Sequence, residues 1–302
     1  MKILMSLRLP SVLAALCTPI DDQGRPDYAA FDRVVDFVMD RGVEGIVLGG
    51  ATAEFPHFSV DQRVALIGRA VHRMAGRGPV LANVGTSSIH STVELAKHAA
   101  NAGCAALLLS MPYFFRYTQD DLAAYCEKVC ARVDAPFLLY NLPLFTAPIE
   151  APTAIRLIET IPNLIGMKDS SGEETNLTIL ATAQKQDLAL FAGHDALILE
   201  ALRAGWHGVI SGIACFAPEL VSAVVRGHRA GHADEASVHQ TALNELLAKV
   251  APLPTPWGIR LGLASRGIET GPLHMPLSTA RSKQVDEIRA WLADWATRQP
   301  SQ

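Results

Sequence analysis

Eight short apolar runs recur along the chain, each followed by a polar or glycine-rich turn and, in most cases, an amphipathic stretch. They occupy residues 12–17, 46–49, 80–84, 105–111, 137–140, 164–168, 188–192 and 208–211. The runs are nearly continuous in apolar character rather than alternating, as expected of parallel strands covered on both faces. Helical periodicity marks residues 28–41, 60–75, 92–102, 120–132 and 177–184 between them, with Asp27, Ser59 and Ser91 placed as N-caps. Eight strand–helix units in sequence predict an α/β fold, a closed (β/α)8 TIM barrel. A doubly wound sheet is the alternative, but no glycine-rich dinucleotide turn follows the first run. A barrel can absorb 302 residues as one unit. Residues 1–230 are therefore assigned to the barrel. Residues 231–302 are assigned to a C-terminal helical extension packed on it, with helices over 234–250, 257–265 and 282–298 after the helix of 218–229. Pro252, Pro254 and Pro256 break the extension.

Composition removes several classes of function. A chain with 49% hydrophobic and 19% charged residues folds into a globule. A net charge of −4 without a basic stripe argues against nucleic acid. No apolar stretch is long enough to cross a bilayer, which argues against a membrane partner. The first residues start basic and then turn apolar, but Arg8 and Pro10 interrupt them, so they are expected to be a short leader to the first strand. Five cysteines, an odd number at irregular spacing, fit free thiols in a reducing compartment, and a cytoplasmic location is expected. No metal-binding or nucleotide-binding motif occurs, so neither a metal nor a nucleotide cofactor is expected.

The reaction in such a barrel takes place at the C-terminal ends of the strands. Of seven lysines, only Lys168 lies within an apolar run. Low-dielectric surroundings disfavour its charged form, and a free amine can attack a ketone. The competing reading is a structural lysine paired with Asp169 or Glu54. Tyr140 ends the preceding run, where a phenol beside the amine could shuttle protons; as a bland alternative, it is a core tyrosine. The turn at 49–55, GGATAEF, brings small residues and the Thr52 hydroxyl to a strand end, a setting that suits a carboxylate.

Taken together, GATAE (50–54), YNLP (140–143) and GMKDSSG (166–172) resemble the dihydrodipicolinate synthase/N-acetylneuraminate lyase family. Further likeness lies in TPI (18–20), MPYFFR (111–116), AGHD (192–195), GVISG (208–212) and LHMPL (273–277), in the family's order and spacing. The resemblance implies a class I lyase in which Lys168 forms an imine with a 2-oxo acid such as pyruvate, with no separate cofactor. It implies that Tyr140 is the catalytic tyrosine and that Thr52 holds the carboxylate. It implies that Gly193 and Ile210 line the pyruvate pocket, largely through backbone atoms, and that the protein is a homotetramer, a dimer of dimers.

Four positions depart from the family's synthase pattern, one of them Ala53 in place of the glycine before the glutamate. Ala51 stands where the loop carries its first hydroxyl residue. Phe114 replaces the second tyrosine of PYYNR, which reaches across a subunit interface to complete a proton relay. Phe145 replaces the arginine that grips the acceptor's carboxylate. A phenylalanine supplies neither a proton nor a salt bridge. The expectation is therefore a Schiff-base lyase other than dihydrodipicolinate synthase itself, acting on pyruvate and a less charged aldehyde or a sugar-acid-like partner. Two alternatives stand beside it: the synthase, condensing pyruvate with aspartate semialdehyde, and a retired protein that only binds a 2-oxo acid.

Overall fold

The structure is a computed structural model and describes residues 8–299. The leader proposed for the first residues lies largely outside them. Eight strands follow in order: β1 (Val12–Ala15), β2 (Gly45–Leu48), β3 (Val80–Asn83), β4 (Ala106–Ser110), β5 (Phe137–Asn141), β6 (Leu164–Asp169), β7 (Ala189–Ala192) and β8 (Gly208–Ser211). Each pairs in parallel with the next, and β8 returns to β1 through Leu13 opposite Ile210, closing the barrel. A closed barrel leaves no strand edge exposed to foreign pairing.

Helices α1 (Tyr28–Met39), α2 (Val60–Met74), α3 (Ile89–Ala102), α4 (Gln119–Cys130), α5 (Ala151–Thr160), α6 (Glu174–Leu180), α7 (Ile198–Arg203) and α8 (Pro218–Arg229) wrap the strands. Their starts follow local chemistry. Asp27 accepts hydrogen bonds from the Ala29 and Ala30 N–H groups. Ser59 and Gln62, and likewise Thr118 and Asp121, form reciprocal capping boxes. The cap of α3 is Ser88 rather than Ser91, because the helix begins one turn earlier than the apolar periodicity indicates. Helices α5 and α7 are not among the sequence candidates. The first carries Pro152 in its opening turn, where proline is compatible with a helix. The second is only six residues long. The extension comprises α9 (Ala233–Val250), α10 (Trp257–Ser265) and α11 (Thr279–Thr297).

Two apolar layers hold the barrel together. Inside it, Leu13, Val47, Leu81, Leu108, Phe191 and Ile210 fill the lumen with Tyr140 above them. Between strands and helices runs a larger layer that includes Val34, Leu95 and Leu157. It continues into the extension through Leu243, Leu292 and Trp295. All five cysteines are buried and unpaired. Burial pushes Cys104 and Cys130 up to about 12, so these thiols stay protonated and unreactive. No helix among the described residues is long and apolar enough to cross a membrane.

Candidate active site

Register brings the two candidate catalytic side chains together. Tyr140 on β5 lies opposite Lys168 on β6, one position before the strands end at Asn141 and Asp169. The Lys168 Nζ lies 3.4 Å from the Tyr140 Oη and 4.4 Å from the ring centroid. Both side chains are almost fully enclosed, with 4% and 2% of their surface exposed.

The structural alternatives for Lys168 are closed by geometry. Asp169 faces away and accepts hydrogen bonds from Asn141 Nδ2 (2.8 Å), Ser171 Oγ (2.8 Å) and Asn176 Nδ2 (3.2 Å). Glu54 pairs with Arg260 at 2.8 Å. Among the described residues, no carboxylate lies within 4.0 Å of the Lys168 ammonium position. The Asn141–Asp169 bond ties the ends of β5 and β6 directly above the reactive pair, so it fixes their separation. Both residues sit inside the motifs quoted above, yet their role depends on a contact between strands that a single motif does not display.

Gly193 follows β7 and clears the path of the lysine. A Cβ there would lie 2.7 Å from Lys168 Cε and collide with Ser170 Oγ. Its N–H donates to the Asp169 carbonyl at 2.7 Å. Any side chain at this position would push the amine out of place.

The turn after β2 is shaped to receive an anion. Its Ala53 and Glu54 N–H groups donate back to the Gly50 and Ala51 carbonyls at 3.1 and 2.9 Å. Those of Ala51 and Thr52 make no hydrogen bond to the described residues. Two adjacent backbone donors at the strand end are thus left without an internal acceptor. Gly50 approaches the phenol, since a Cβ on it would lie 3.6 Å from Tyr140 Oη. Thr52 Oγ1 packs closely on Gly212, where a Cβ would lie 3.1 Å from it. Below the turn, Asn83 Nδ2 donates to the Gly49 carbonyl at 2.8 Å.

These groups border a cavity of about 390 Å³ lined by Thr52, Tyr140, Lys168, Gly193, Asp195 and Gly212. Ala51, Leu142 and Phe145 separate it from a second cavity of about 600 Å³ that reaches Tyr113, His274 and Arg281. The structure distributes the remaining sequence candidates unequally. Ile210 is fully buried in the lumen, below the cavity wall, and Gly212 and Ile213 line that wall instead. Phe145 borders both cavities and is half exposed. Phe114 is 89% exposed, with its backbone at φ 83°, and lines neither cavity. Asp195 is a wall residue that sequence reasoning passes over. Burial raises its carboxyl above the ordinary carboxylate range, an effect the Ser211 hydroxyl, the Ile213 N–H and the Lys168 charge partly offset.

The chain matches the dihydrodipicolinate synthetase family over residues 8–294. It belongs to that family. Relatives include the 4-hydroxy-tetrahydrodipicolinate synthases of Aromatoleum aromaticum, 35% identical over 90% of this chain and 94% of the relative. That of Bacillus subtilis is 30% identical over 88% and 92%. Among solved structures, the dihydrodipicolinate synthase of Aquifex aeolicus superposes with a TM-score of 0.89 at 26% identity, covering 95% of this chain and 98% of that one. The chain is a class I lyase, an enzyme of the kind that works through a lysine imine. The relatives carry the synthase name, so the exclusion of the synthase drawn from Ala51, Phe114 and Phe145 finds no support among them.

Proposed function

We propose that Lys168 forms the imine with the ketone of pyruvate, held by its carboxylate on the Ala51 and Thr52 N–H groups and the Thr52 hydroxyl. The observation that carries this reading is the enclosed Lys168–Tyr140 pair at 3.4 Å beside that turn. The neutral amine adds to C2 of the ketone. Tyr140 passes a proton to the departing oxygen, water leaves, and the protonated imine becomes an electron sink. In the condensing direction the imine loses a C3 proton to give an enamine, whose C3 attacks the aldehyde. In the cleaving direction Tyr140 takes the proton of the substrate hydroxyl, an aldehyde leaves, the resulting enamine gains a proton at C3, and hydrolysis of the imine releases pyruvate.

Two partners are compatible with this donor chemistry. Aspartate semialdehyde, the partner in the synthase reading, is favoured by the name of the relatives at 30–35% identity. A less charged aldehyde or sugar-acid-like partner is favoured by Phe145, an apolar ring at the boundary between the two cavities. The homotetramer implied by the resemblance gains support from Phe114 and Phe115. These rings pack edge to face with centroids 5.0 Å apart while standing in solvent, a pair that a second copy would cover.

Borohydride reduction with pyruvate, followed by peptide mass analysis, tests the donor half. A pyruvate-sized adduct is expected on Lys168 and absent from Lys168→Ala; an adduct elsewhere, or none, overturns the reading. Turnover of pyruvate with aspartate semialdehyde, measured beside a panel of neutral and hydroxylated aldehydes, then decides between the partners.

A further inference from the structure

The turn that offers its N–H groups to a carboxylate is held from outside the barrel. Its last residue, Glu54, adopts a left-handed conformation at φ 53°, ψ 41°, which is unfavourable for a side chain larger than glycine. Such a conformation persists where surrounding contacts over-determine it. Here the contact is with Arg260 of α10, 206 residues away in sequence, whose NH1 donates to Glu54 Oε2 at 2.8 Å. Both side chains are buried.

Arg260 is itself anchored. Its NH2 donates to the Thr270 and Pro272 carbonyls at 2.6 and 2.7 Å. That segment is seated on the end of the first strand unit, because the Ile20 N–H donates to the Thr270 carbonyl at 3.0 Å. Gly271, at φ 78°, passes so close to the Ile20 carbonyl that no Cβ fits. His274 completes the surround: it lies 3.8 Å from Glu54 Oε2 and stacks on His57, with ring centroids 4.2 Å apart and planes 4° from parallel. The guanidinium thus joins the strand-end turn, the 270–272 segment and α10 at one point.

We infer that Arg260, acting through Glu54, is a positioning residue for recognition of the 2-oxo acid carboxylate. It sets the turn so that the Ala51 and Thr52 N–H groups converge on one point. The inference rests on the proposed role of that turn. A buried carboxylate stripped of its cation has strong reason to move toward water or take up a proton. A Glu54 side chain that moves toward water pulls on the turn, since its own N–H and that of Ala53 close the turn on the Ala51 and Gly50 carbonyls. Lys168 and Tyr140 stand on other strands and keep their geometry.

The consequence is selective. Loss of Arg260 weakens ligands that use the carboxylate nest and spares those that use only the amine. The test is borohydride trapping on the full-length protein, read as the half-saturating concentration of pyruvate and of acetone, a ketone with no carboxylate. For Arg260→Met and Glu54→Gln the value for pyruvate is expected to rise about tenfold or more, the equivalent of one charge-assisted hydrogen bond. The value for acetone is expected to change less than about twofold on the same scale. Arg260→Lys, which restores a cation, is expected to recover most of the loss. An unchanged value for pyruvate, or equal rises for both ketones, overturns the inference. Should Arg260→Met fail to fold, Glu54→Gln decides the matter alone, since it keeps the side chain's size. Absence of an adduct in the unsubstituted protein would instead overturn the proposed function.

Discussion

The two sides of the cavity are built differently. On the donor side, Lys168, Tyr140, Gly193 and the Ala51–Thr52 turn stand on or directly after strands, enclosed and cross-braced by Asn141, Asp169 and Asn83. On the acceptor side, Leu144 and Phe145 lie on the connection after β5, both in contact with solvent. A barrel separates these tasks by construction. Strand ends hold the atoms that must keep their distances, while loops can change partner without disturbing them. Under the proposed function, the strand-borne side holds the reacting amine and the loop-borne side meets the second substrate.

That division can be broken in several ways. The largest effect is expected from Tyr140→Phe, which leaves the ring and removes the proton carrier: kcat should fall about 10²–10⁴-fold, with circular dichroism unchanged. A smaller fall would move the proton-transfer task to the acceptor side. Gly193→Ala comes next. Its methyl group would meet Lys168 Cε, so trapping by pyruvate should drop sharply even though the lysine remains. Normal trapping would show that the lysine tolerates displacement. On the other side, Phe145→Arg should raise kcat/KM for aspartate semialdehyde relative to a neutral aldehyde by about tenfold or more, as one charge-assisted bond allows. Pyruvate trapping should not change. If it does, the two sides are coupled.

The smallest effect concerns stability. Burial raises the Asp195 carboxyl, so the folded state holds that proton more tightly than the unfolded chain does. Its contribution is thus fully present below the ordinary value near 3.9 and is lost as pH rises through the raised folded value. Denaturant unfolding of the protein and of Asp195→Asn across this window should show the difference between them moving against the unsubstituted protein as pH rises. A difference independent of pH would contradict the assignment.

The same division explains what could be read from the amino-acid order. All eight strands were visible because each is a run of consecutive apolar residues, and their order alone implies closure. Lys168 stood out as the one lysine in such a run, and Tyr140 as the end of its neighbour. The role of Arg260 was hidden, since WGIRLGLAS shows a charge within an apolar helix but not its partner, 206 residues distant. Asp195 was hidden for a similar reason: an acidic residue after a strand is ordinary until its enclosure is seen. Phe114 and Phe145 were read from resemblance as losses, whereas the relatives' names attach the synthase activity to the family around this chain.

The contact between Glu54 and Arg260 also bears on how the enzyme is made. During synthesis on a ribosome all eight strands are made before the cation that holds Glu54, so the turn after β2 receives its partner only when α10 has been added.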